Sequence, residues 1–94
     1  MIPRWTRLAL HDLDAAYEYI AESNAAAAQQ IVERIEAAVA ALARHPGIGR
    51  AGRVPGTREL VVTGTPFIVA YRVVAGAVEI LAVIHGARIW PDRF

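Results

Sequence analysis

Apolar positions in the first half of the chain recur at steps of three and four residues. Leu8, Leu13, Ala16, Tyr17 and Ile20 share one face of a predicted helix, with Thr6 placed to cap it. Asp12, Asp14, Glu18 and Glu22 fall mainly on the opposite, wet face. Ser23-Asn24 interrupts the pattern, and Asn24 caps a second helix striped by Ala28, Ile31, Val32, Ile35, Val39 and Leu42, running to about residue 44. So short a joint predicts an antiparallel helical hairpin. His45-Pro46-Gly47 stops the second helix. Residues 45–56 hold four glycines and two prolines in twelve positions, which predicts a loop without regular structure. Three strand-like segments follow: Thr57–Val62, Phe67–Val74 and Ala77–His85. Thr63-Gly64-Thr65-Pro66 and Ala75-Gly76 are the hairpin joints between them. Met1–Trp5 reads as a fourth, edge strand. An amphipathic helical hairpin and a sheet with one apolar face bury each other, so the pattern predicts one two-layer α+β domain over residues 1–94, with the second sheet face free for function.

Composition narrows the classes. With 55% hydrophobic and 20% charged residues, the chain is too apolar for disorder, and at net charge +1 too nearly neutral to coat nucleic acid by charge alone. No apolar run approaches a membrane span, and MIPRWTR lacks the apolar core of a secretory signal, so the cytoplasm is the expected location. The absence of cysteine removes disulfides, zinc ribbons and thiol nucleophiles, and three scattered histidines predict no metal site; no cofactor is expected. Every basic residue is arginine, which stays protonated, so no lysine can serve as a base or form a Schiff base. Residues 1–44 carry net charge −2 and residues 45–94 carry +3, pointing the sheet half toward an anionic partner.

The ordered set DLDAAYEYIA, GTRELVVTGTPFIVAYRV and VEILAVIHGARIWP, with HPGIGR before it, resembles the RelE/ParE superfamily of bacterial toxin–antitoxin toxins over the whole chain. The pattern looks like the branch usually labelled plasmid stabilisation protein or ParE-like toxin. The resemblance implies the order β-α-α-β-β-β, a mostly antiparallel sheet, and a growth-inhibiting toxin in a hetero-oligomer with a small DNA-binding antitoxin whose C-terminal tail is acidic. It implies one of two actions. ParE-like members inhibit DNA gyrase; RelE-like members are ribosome-dependent, metal-independent endoribonucleases that cut messenger RNA. A third reading is a regulatory member that binds its antitoxin without toxicity.

RNA cleavage by 2′-OH attack needs a base, an acid and a cation within hydrogen-bond reach. If this chain is a nuclease, the resemblance leaves Glu59, Arg72, His85 and Arg88 to supply them. The arginine that such nucleases place three residues before the aromatic of the middle strand falls on Ile68, and Trp90 and Phe94 are the only aromatics after the last strand. Gyrase inhibition therefore stands ahead. For contact with target or antitoxin the candidates are Arg50, Arg53 and Arg58 around the glycine-rich loop, with His85 and Arg88. His85 reads equally as a rim histidine that orders the following turn. Arg72 and Glu79 read as a cross-strand ion pair. GIGRAG follows a helix rather than a strand, so it is not a phosphate-binding fingerprint. Trp5 and Trp90 are expected to pack the termini onto the sheet, and Tyr19 to lie at an interface.

Overall fold

Thr6 starts the first helix and ties it to the sheet. Its hydroxyl accepts the Ala9 N–H at 3.2 Å and donates to the Ile80 carbonyl at 2.7 Å. In the computed structural model, which describes residues 1–94, that helix is α1, Arg7–Ala21, and α2 follows as Ala25–Leu42. Asn24 caps α2, its side chain accepting the Ala27 N–H at 3.0 Å. Strands β1 (Ile2–Trp5), β2 (Arg50–Ala51), β3 (Arg58–Val61), β4 (Phe67–Val74) and β5 (Ala77–His85) form one sheet in the order β1-β5-β4-β3-β2. The β1–β5 pair is parallel and the others are antiparallel. This is the α+β arrangement predicted, with one correction. The segment 45–56 is not wholly irregular, because Arg50 and Ala51 pair with Glu59 and Arg58 as β2.

Alternation along β4 sends Phe67, Val69 and Tyr71 toward the helices, where Val78, Ile80 and Val83 of β5 join them. Ala9, Leu13 and Ala16 of α1 and Ile35, Val39 and Leu42 of α2 complete this core. The α1 stripe differs from expectation at one place: Ala9 is buried while Leu8 is exposed. Tyr71 is fully buried, and its hydroxyl donates to the Pro46 carbonyl at 2.7 Å while accepting the Gly49 N–H at 2.9 Å. Thus one side chain fastens the loop after α2 onto the middle strand.

The sheet's outer face is not bare. Ile68, Ala70 and Ala82 lie on it and are buried. A bulge at Leu81 separates the Ala70–Ala82 pair from the Tyr71–Ile80 pair. No helix is long and apolar enough to cross a membrane.

Candidate functional site

The partnership of β1 with β5 covers only Ala77–Ile80, so beyond Ile80 that side of β5 has no strand neighbour. Asp12 of α1 takes part of the vacant place, accepting the Val83 N–H at 3.0 Å. Helical phase explains its position. Asp12 is three residues from Ala9 and four from Ala16, at the border of the buried stripe rather than on the wet face expected from the sequence. Burial pushes its carboxyl above the usual value, and the Val83 N–H and the charges of His11 and Arg88 only partly oppose this.

This open edge floors a groove of about 560 Å³. Leu8, Asp12, Ala15 and Tyr19 of α1 form one wall; Phe67, Val83 and His85 lie at the bottom; Arg88, Ile89, Pro91 and Phe94 form the other wall. Part of its apolar lining is open to solvent, with Tyr19 74% and Ile89 99% exposed, while Phe67 and Val83 beneath are buried. An open apolar groove with Asp12 and Arg88 in its lining is a surface suited to docking of another molecule.

The residues singled out for nuclease chemistry do not converge. Glu59 is on the outer sheet face, across from Ala70, and is the one buried charged residue. Its Oε1 accepts from Arg50 Nη2 at 3.0 Å, and its Oε2 accepts the Arg53 backbone N–H at 2.8 Å with Arg53 Nε at 3.4 Å. Burial alone would raise this carboxyl; the Arg53 N–H, the Arg50 hydrogen bond and the two guanidinium charges outweigh it and hold the group below its usual range. Arg72, also on the outer face, binds Glu79 at 2.6 Å, the cross-strand pair anticipated from the turn. His85 pairs with Phe67 and shares its helix-facing side, with ring centroids 5.7 Å apart. Its Nδ1 accepts the Ala87 N–H at 3.1 Å, so it orders the turn after β5. Arg88 lines the groove near Asp12. The quartet is therefore divided between two faces of the sheet.

The basic loop is occupied as well. Arg50 and Arg53 are committed to Glu59, and Arg58 donates to the Gly49 carbonyl at 2.8 Å. Of the residues expected to meet a partner, His85, Arg88 and Tyr19 line the groove, and Arg50, Arg53 and Arg58 do not. Sequence reasoning missed Leu8 and Asp12 as groove residues, although their phase on α1 relative to Ala9 carried the signal.

Comparison with known proteins places this geometry. Residues 4–90 match the family model described as the ParE toxin of the type II toxin–antitoxin system parDE. The chain is 47% identical over 89 residues to a Sinorhizobium fredii protein named "Putative toxin Y4kP", covering 95% of this chain and 92% of that protein. It is 39% identical over 85 residues to toxin RelE2 of Caulobacter vibrioides, covering 90% and 94%. Among solved structures, a chain of the chromosomal ParDE toxin–antitoxin system from P. aeruginosa superposes with a TM-score of 0.81 at 34% identity, over 90% of this chain and 95% of that one. A family match across nearly the whole chain, together with the shared fold, makes this protein a member of the ParE toxin family of type II toxin–antitoxin systems.

Proposed function

We propose that this toxin arrests growth by inhibiting DNA gyrase through surface contact, without cleaving nucleic acid, and that an antitoxin segment seated in the groove of α1, β5 and residues 88–94 neutralises it in the cytoplasm. The observation that carries the first half is the division of Glu59 and Arg72 from His85 and Arg88 across the sheet. General acid–base catalysis needs its groups within hydrogen-bond reach of one scissile phosphate. Support for the second half comes from the groove itself. An open strand edge beside an exposed apolar wall suits an amphipathic segment, and Arg88 in the lining suits an acidic one.

The competing reading, a ribosome-dependent ribonuclease, draws on the likeness to the Caulobacter toxin named RelE2. Induced expression in a susceptible bacterium separates the two. Gyrase inhibition gives DNA-damage signalling and cleaved DNA, and the effect survives His85→Ala. Codon-phased messenger RNA cuts that vanish in His85→Ala would establish the nuclease instead, and harmless expression would establish a regulatory member. Co-expression of Tyr19→Asp with the adjacent small gene should restore growth inhibition. Continued neutralisation would remove the groove as the antitoxin site.

A further inference from the structure

Residues 86–94 carry no helix or strand, yet two opposed sets of contacts hold them. Arg88, Ile89, Pro91 and Phe94 line the groove, whereas Trp90 lies beneath Arg53, whose guanidinium carbon sits 3.9 Å from the ring centroid. Arg53 is itself fixed twice by Glu59, through its backbone N–H at 2.8 Å and its Nε at 3.4 Å. Glu59 is buried and anchored on β3 opposite Arg50 of β2. The indole Nε1 is buried without a hydrogen-bond partner, so the cation–π contact with Arg53, rather than a hydrogen bond from the indole, holds the ring. The contact thus joins the segment after β5 to the far edge of the sheet.

We infer that Trp90 is a positioning residue, clamped by the Glu59–Arg53 pair, that sets residues 88–94 as the outer wall of the groove. The groove has only one helical wall, α1; the opposite segment is held by the Trp90 clamp, by the Gly86 N–H donating to the Pro66 carbonyl at 2.8 Å, and by the His85–Ala87 and His85–Arg88 hydrogen bonds. Arg53 lines no part of the groove, so it shapes the site from the other side of the tail. The inference concerns the groove's own form and stands whether or not an antitoxin or gyrase proves to be the partner.

Nuclear magnetic resonance on the full ¹⁵N- and methyl-labelled chain tests it without any ligand. The Trp90 indole signal, assigned by its loss in Trp90→Phe, should exchange with water at least about tenfold faster in Arg53→Gln, while the Trp5 indole stays unchanged. Opening of the wall should also move the methyl signals of Leu8 and Ala15, across the groove, while those of Val39 and Leu42 in the core remain in place. Arg53→Lys keeps the charge but replaces the broad guanidinium over the ring by a compact ammonium, and should fall between. Should Trp90→Phe fail to fold, triple-resonance assignment of the two indoles leaves Arg53→Gln to carry the test. Unchanged indole exchange, or fixed Leu8 and Ala15 signals beside a released indole, overturns the inference.

Discussion

Tyr71 packs its ring among Val39, Leu42 and the other helix-facing residues and spends its hydroxyl on the loop, so it couples two kinds of energy in one side chain. Gly49 is required beside it, since a Cβ there would fall 2.5 Å from the hydroxyl oxygen. Tyr71→Phe keeps the ring but leaves the Gly49 N–H without its acceptor and the Pro46 carbonyl without its donor. The expected cost is about 1–3 kcal/mol, read as a lower urea midpoint with an unchanged slope. Unaltered stability would mean that water replaces both bonds. Sequence alone identifies Gly49 as part of a flexible loop, because the tyrosine that demands a glycine lies 22 positions away.

At the scale of elements, the hairpin joint between β4 and β5 is the most legible feature and also an imperfect one. Ala75 and Gly76 both have positive φ, 50° and 76°, the geometry of a two-residue type I′ turn. Alanine is strained there, and asparagine is a preferred residue. Ala75→Asn should therefore stabilise the protein by about 0.5–1 kcal/mol, seen as a rise in Tm, with no change in the groove. Helix caps at Thr6 and Asn24 were equally readable, because each rests on chemistry between residues three apart. The two-residue β2 was not, since its pairing depends on Glu59 gathering Arg50 and Arg53 from outside the strand pattern. Nor was the division of the α1 face, where a single position of phase separates buried Ala9 from exposed Leu8.

For the molecule as a whole, the charge asymmetry between the two halves suggested a free cationic surface on the sheet, and the structure distributes that charge differently. Arg50 and Arg53 share the one carboxylate of Glu59 and Arg72 pairs with Glu79, so most of that positive charge is held in ion pairs, while the apolar groove has Asp12 and Arg88 in its lining. Glu59 and Asp12 should consequently drive stability against pH in opposite directions. The folded-state value of Glu59 lies below the ordinary 4.5, so its contribution is complete above 4.5 and is lost as pH falls through the lower folded value. That of Asp12 lies above the ordinary 3.8; its contribution is complete below 3.8 and is lost as pH rises through the raised folded value. At pH 7 Asp12 therefore carries a charge that the fold disfavours. Asp12→Asn, which can still accept the Val83 N–H through its amide oxygen, should raise Tm at pH 7, and the gain should shrink as pH falls through the raised folded value and be gone below 3.8. Glu59→Gln should lower Tm at pH 7, and its deficit should narrow as the parent loses the Glu59 charge below 4.5. Calorimetric scans of both variants and the parent from pH 7 to pH 3 read the two trends directly. An Asp12→Asn gain that grows on acidification would show that the Val83 contact and Arg88 outweigh burial at the groove's open edge.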